Sequence, residues 1–256
     1  EEGMVLLQPD RLPFGSDSMD PRRAYVEGLY VSDGWSGHNY DFDISGRDGC
    51  PKEAQKREVE EICRQLGVET TWFEKSIRIR DAEWALRVQQ MGGHAPQKHA
   101  LSINLDEQAA HELLRGIMAD SGANTHGAGR TFTTTSRLLA IQTRLLQRMF
   151  GVSCGERYIV DHGGLGENPI WRLQTRPAGD KMTKLLRVKA IERGVLDLPV
   201  YDISVDGHKV YLPEADVVVS NCDDAVILLN STLGSIGYGT GARVVETRES
   251  TGGWDH

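Results

Sequence analysis

The stretch Val26-Glu27-Gly28-Leu29-Tyr30-Val31-Ser32-Asp33-Gly34 decides the fold, because the chain carries a partner for it, Leu114-Arg115-Gly116-Ile117-Met118-Ala119-Asp120-Ser121-Gly122. Each reads as a helix with one glycine in its middle and an acid close to a second glycine at its end. Gly28 and Gly116 remove side chains from one face, so two helices can approach closely, as small residues allow in other helix pairs. An acid in the last turn is locally unfavourable, since that end already carries partial negative charge. A bound cation would offset it. Two such ends side by side would bring two carboxylates to one point, where a divalent metal can bridge phosphates.

Working outward, Asp20 caps a helix with Pro21 at its first position, and the helix stops at Gly34. A strand over 40–45 comes next, then a charged amphipathic helix over 51–66 closed by Gly67. Strands over 68–73 and 76–80 succeed it, the second alternating Ile77 and Ile79 with Arg78 and Arg80. A helix over 81–91 ends at Gly92-Gly93. The order then recurs: a helix over 108–119, a Thr-rich strand over 130–135, a helix over 136–150 capped by Ser136, and strands over 157–160 and 170–176. This is an internal duplication, visible in element order more than in residue identity. Residues 1–20 are Pro-broken and turn-rich and read as a linker.

The two glycine-centred stretches resemble the LAGLIDADG motif of homing endonucleases. The resemblance implies an α+β, pseudo-two-fold domain over 21–180, built from two αβαββα-type repeats and acting on a double-stranded DNA target with Mg²⁺. Asp33 and Asp120 would then be the catalytic, metal-binding acids, and Gly28 and Gly116 the helix-packing residues. The second copy departs from the pattern. Aligned on Gly116 and Gly122, the acid's position holds Ser121, and Asp120 lies one residue early, about 100° around the helix. Whether the domain cuts DNA is left open by that shift. Arg78, Arg80, Arg172 and Arg176 on strands, with Arg130 beside Thr131–Thr135, fit phosphate contacts.

Further on, Pro199-Val200-Tyr201-Asp202-Ile203-Ser204-Val205-Asp206-Gly207-His208-Lys209-Val210-Tyr211 and then Val217-Val218-Val219-Ser220-Asn221-Cys222 resemble the C-terminal end of an intein. The chemistry explains the residue types. An asparagine amide can attack its own carbonyl carbon, close a succinimide and release the downstream chain, given a nearby acid–base group. The next residue must be a nucleophile that accepts the upstream segment, and a cysteine thiolate serves. The resemblance assigns cyclisation to Asn221, acyl acceptance to Cys222, assistance of acyl transfer to Asp202 and activation of Asn221 to His208. Ser220 stands where a histidine is usual, which predicts slower cleavage. Residues 181–221 would be the C-terminal part of a β-rich Hint splicing domain. Its N-terminal part is the expected partner, supplied either by the same precursor or by a separate chain.

Cys222-Asp223-Asp224-Ala225-Val226-Ile227-Leu228-Leu229, with Gly237, Ala242-Arg243-Val244-Val245 and Trp254-Asp255-His256, resembles the core of transglutaminase-like cysteine peptidases. The resemblance makes 222–256 the start of the host protein, with Cys222 opening a helix and His256 as its base. Thiol peptidase or transglutaminase-like activity of the joined host is thus the alternative function.

Composition bounds these readings. The chain has 256 residues, 39% hydrophobic, 28 glycines and a net charge of −8. That excludes a disordered chain and a generic nucleic-acid coat, though not a local basic face. No apolar stretch approaches the roughly 20 residues of a membrane helix. Cys50, Cys63, Cys154 and Cys222 form no Cys-x-x-Cys pair, which excludes zinc ribbons and points to reduced thiols in a cytoplasmic protein.

Overall fold

We describe the chain from a computed structural model, which covers residues 5–6, 11–50, 52–119, 122–123, 129–152, 154–160, 168–175, 186–194, 210–211, 219–220 and 242–247. In order, the elements are β1 (Val5–Leu6), α1 (Pro21–Asp33), β2 (Gly34–His38), β3 (Asp41–Ser45), α2 (Lys52–Leu66), β4 (Glu69–Phe73), β5 (Ser76–Arg80) and α3 (Ala82–Gln89). A short 3₁₀ turn, Ala95–Gln97, leads to α4 (Glu107–Met118), β6 (Gly122–Ala123), β7 (Arg130–Thr134), α5 (Arg137–Met149), β8 (Cys154–Ile159) and β9 (Ile170–Thr175). Then come β10 (Leu186–Gly194), β11 (Val210–Tyr211), β12 (Val219–Ser220) and β13 (Ala242–Thr247). The chain is mixed α+β and divides into two compact units, residues 11–180, and residues 1–10 with 181–256.

Within 11–180 the duplication is explicit. Two four-stranded antiparallel sheets have orders β2-β3-β5-β4 and β6-β7-β9-β8. Each repeat runs helix, hairpin, helix, hairpin, and in the first a further helix, α3, follows. The expected order of one strand after the first helix is therefore corrected, because β2 and β6 are additional strands. Gly34-Trp35-Ser36-Gly37-His38 has no apolar alternation, and Gly122-Ala123 is too short to show one. Their pairing comes from the neighbouring strand and not from their own pattern.

Helix starts obey local chemistry. The Asp20 carboxylate accepts from the Arg22 backbone N–H with Pro21 at the first position, Asp106 accepts from Ala109 N–H, and Ser136 Oγ accepts from Leu139 N–H. Each satisfies a donor that the first turn leaves orphaned. The core then forms on one face of each sheet. Phe42, Ile44, Ile77 and Ile79 are buried on the first, and Tyr30 and Trp84 meet Phe42 edge-on at 5.8 and 5.4 Å. Phe132, Trp171 and Leu173 do the same on the second, with Leu139, Ala140 and Leu146 of α5 buried alongside. Aromatic pairs at such distances add about 0.5–1.5 kcal/mol beyond their area burial.

Helices α1 and α4 pack backbone to backbone. A Cβ added at Gly28 would collide with the Leu113 carbonyl oxygen and stand 2.9 Å from Gly116 Cα. One added at Gly116 would collide with the Tyr25 carbonyl oxygen and stand 2.9 Å from Gly28 Cα. The residue spacing thus explains the crossing point: only hydrogen fits there. Residues 11–17, within the expected linker, hydrogen-bond to the second repeat through Leu12 N–H to Arg148 O at 3.3 Å and Gly15 N–H to Leu105 O at 2.8 Å.

In the other unit, β1 pairs antiparallel with β10, Val5 opposite Arg187 and Leu6 opposite Leu186. Strand β10 pairs parallel with β13, and β11 forms an antiparallel ladder with β12.

Candidate functional site

The glycine crossing sets where α1 ends, and α1 ends in Asp33. The expected conflict between this acid and the helix terminus is resolved by two lysines. Lys52, the first residue of α2, donates to Asp33 Oδ2 at 2.5 Å. Lys98, almost wholly buried, donates through Nζ to the carbonyls of Tyr30 (2.7 Å) and Gly34, and lies 4.8 Å from the Tyr30 ring centroid. A buried ammonium is costly unless hydrogen-bonded, and terminal helix carbonyls are suitable acceptors. A cleft of about 200 Å³ adjoins this point, lined by Val31, Ser32, Lys98, Thr133, Thr134 and Thr135 among others. It joins the end of α1 to the second sheet.

The described residues do not by themselves call for Mg²⁺. At the end of α1 they offer one carboxylate, already held by an ammonium. Among the described residues no cluster of three or more His, Cys, Asp or Glu is arranged to hold a metal ion. Asp120 and Ser121 lie outside the described residues. Arg176, Asp202, His208, Asn221, Cys222 and His256 also lie outside them.

The strand arginines divide by face. Strand registers place Asp41, Asp43, Arg78, Arg80, Thr71 and Phe73 together on the face of the first sheet turned away from the helices. There Arg78 is chelated. Its Nε and Nη2 donate to Asp43 at 3.0–3.3 Å, and Asp41 Oδ2 stands 3.7 Å from its Nε. Both acids are buried, at 4% and 2% exposure, and the guanidinium lies 5.0 Å from the Phe73 ring centroid. Arg80 Nε donates to Thr71 Oγ1 at 3.2 Å. On the outward face of the second sheet, Arg172 stands directly opposite Arg157, with Thr131, Thr133 and Gln174 on the same face. Arg130 is exposed at the start of β7 and alternates with Thr131, so it shares the side of Phe132.

Sequence reasoning missed Lys52, Lys98, the acid pair and Arg157. Asp41 and Asp43 had a signal: they alternate with Phe42 and Ile44, and acids at period two must share a face. Lys98 had none, since it sits in a loop and acts through backbone carbonyls.

Asn221 and Cys222 aside, the cysteine reading concerns three described thiols. Cys50, Cys63 and Cys154 are in no disulfide, and burial pushes the Cys63 thiol up to about 12. Among the described residues no helix is long and apolar enough to cross a membrane.

No protein-family model matches the chain, and no curated protein matches it. Solved structures with a similar chain course include the homing endonuclease I-DmoI in complex with DNA and Mn, at 12% identity, covering 61% of this chain and 89% of that one, with a TM-score of 0.42. They also include full-length DUF199/WhiA from Thermatoga maritima, at 13% identity, covering 64% of this chain and 53% of that one, TM-score 0.41. The N-terminal LAGLIDADG domain of DUF199/WhiA matches at 12% identity over 64% of this chain and 79% of that one, TM-score 0.39.

Proposed function

We propose that residues 11–180 form a duplex-DNA-binding domain of LAGLIDADG type, in which two duplicated β-sheets present their outward faces to the DNA. The observation that carries this reading is the glycine-to-glycine crossing of α1 and α4 between two sheets of identical strand order. The Arg157–Arg172 cross-strand register adds to it by placing two basic side chains on one outward face, and such side chains commonly make phosphate contacts.

Site-specific cleavage is the further activity of the same reading, with Asp33 as the acid it depends on and Asp120 as the candidate second acid. Binding comes first in this reading because Lys52 engages Asp33. Selection of the full chain against a randomised duplex pool tests binding, and enrichment of a defined site is expected. Failure to enrich any duplex would end the DNA reading. Cutting of the enriched site in Mg²⁺, lost in Asp33→Asn, would establish a nuclease. Cutting unaffected by Asp33→Asn would remove Asp33 from the chemistry.

A second reading, protein splicing, concerns the other unit. It is favoured by the β1–β10 ladder, which joins the two stretches flanking 11–180, and by the β11–β12 hairpin, which pairs Val210 with Ser220. Those residues neighbour His208 and Asn221 in sequence. Asn221 would cyclise, Cys222 would accept the acyl group, and Asp202 and His208 would assist. Co-expression with a candidate N-terminal splicing segment should release the insert by mass. Release that persists in Asn221→Ala would refute it. A thiol role of Cys222 with His256 in the joined host rests on the sequence resemblance alone.

A further inference from the structure

Arg78 is an unusual group to find on a face offered to a polyanion. Its charge is matched by Asp43 and approached by Asp41, both buried beneath it. The matched pair has little net charge, so its attraction for a phosphate is small, and the second acid opposes one. The same contacts give it something a free arginine lacks, which is a fixed orientation. Asp43 takes the side-on edge, Nε and Nη2. Phe73, itself 43% exposed, lies against the guanidinium at 5.0 Å. What remains is the end-on fork, Nη1 and the outer Nη2 proton, on a guanidinium whose side chain is 30% exposed.

A rigid two-donor fork matches two parallel acceptors. In the major groove, guanine presents such a pair in O6 and N7, and these carry partial charge without the full charge that the acids would repel. We propose that Arg78 is a guanine-reading residue of the first sheet, and that Asp43 is the positioning residue that converts it from a phosphate contact into a base contact. The inference rests on the DNA-binding reading of residues 11–180 and assigns one specificity determinant within it. The second sheet supplies the contrast. Arg157 and Arg172 face each other with threonines and Gln174, and the described strand residues of that face include no carboxylate.

Selection from a randomised duplex pool with the full chain, then salt titration of the selected site, tests the assignment. The wild type should select a site with at least one fixed guanine. Arg78→Ala and Arg78→Lys should each lose preference at that one position, by about five- to 150-fold in discrimination. The salt dependence should stay nearly unchanged in both. Lysine keeps the charge but not the fork, so it separates base reading from simple attraction. Asp43→Asn should relax the same position while steepening the salt dependence by about one phosphate, because the released guanidinium becomes free to pair with the backbone. A thermal melt of Arg78→Lys matching that of the wild type would show that the sheet remains folded. Unchanged base preference in Arg78→Lys and Arg78→Ala would overturn the proposal, as would loss of a phosphate-sized salt increment in Arg78→Ala at constant preference. Absence of any duplex binding by the wild type would instead remove the underlying reading.

Discussion

The outward faces of the two sheets share a backbone plan and differ in charge. The first opposes Asp41 to Arg80 and Asp43 to Arg78, with Glu69 also opposite Arg80. The second opposes Arg157 to Arg172 amid hydroxyls and an amide. The inward faces differ far less, both being lined with buried aliphatic and aromatic residues. Duplication therefore preserved the surface that packs against helices, where a lost methylene is felt, and released the surface that does not. Under the proposed DNA-binding function, two copies of one scaffold would in this way divide gripping from reading.

The largest expected effect tests whether the repeats are equal partners at their crossing. In an ordinary exposed helix, replacing glycine by alanine gains about 1 kcal/mol. Here the sign should invert. Gly28→Val and Gly116→Val should each cost about 3 kcal/mol or more in urea unfolding, since the added carbons meet backbone that cannot move aside. Unequal costs would show that one helix yields and the other does not.

The charged residues before those glycines should differ next. Buried Glu27 accepts from Trp84 Nε1 at 3.2 Å and from Arg87 Nε at 2.7 Å, with Arg87 43% exposed. Glu27→Gln should cost about 2 kcal/mol, below the range for a fully buried pair because Arg87 reaches solvent. Its counterpart Arg115 pairs with Glu58 and Glu112 and lies 3.6 Å from the Tyr25 ring centroid. Arg115→Met should cost about 1 kcal/mol. Equal costs, measured by the same unfolding curves, would mean the first repeat depends no more on its buried acid than the second on its half-buried base.

For DNA binding, Arg157→Ala with Arg172→Ala should flatten the salt slope by about two and weaken the complex about tenfold, ~1.4 kcal/mol. Sequence preference should hold. A preference shift in that double variant would contradict the division between sheets.

The smallest effect contrasts two helix caps. Hydrogen bonding to Arg22 holds the Asp20 carboxyl below its usual 3.8. A depressed carboxylate stabilises the fold above the unfolded value and loses that contribution as pH falls through the folded one. Asp20→Ala should thus cost about 1 kcal/mol at neutral pH and progressively less below about pH 3.8. Ser136→Ala should cost a similar amount without that pH dependence, since a hydroxyl does not titrate there. Parallel pH curves for the two variants would refute the cap's ionisation.

Much of this was legible in the residues. Gly28 and Gly116 marked the crossing, because nothing else justifies glycine within an apolar helix, and Asp20-Pro21 and Ser136 marked helix starts. Strand β5 announced itself by alternation. The misfit of Asp33 with its helix end was also readable, but the sequence did not reveal that Lys52 contacts this acid. That lysine lies across a hairpin, and no local pattern links the two. Strands β2 and β6 were hidden because glycine-rich or two-residue strands carry no period, so only the partner strand reveals them. The Asp43 partner of Arg78 was not readable, because only the strand register brings the two opposite each other.

Lys98 leaves a practical consequence for anyone who would take the molecule apart. The connector that holds it is fastened at both sides: its ammonium ties off α1, Ser136 Oγ donates to its carbonyl at 2.5 Å, and the Gln142 amide clasps Ala100 through both N–H and C=O at 2.8 Å. The joint between the repeats is a keystone, not a leash. Dividing the gene there, to revive two self-associating halves, would leave one half without its stopper and the other without its latch.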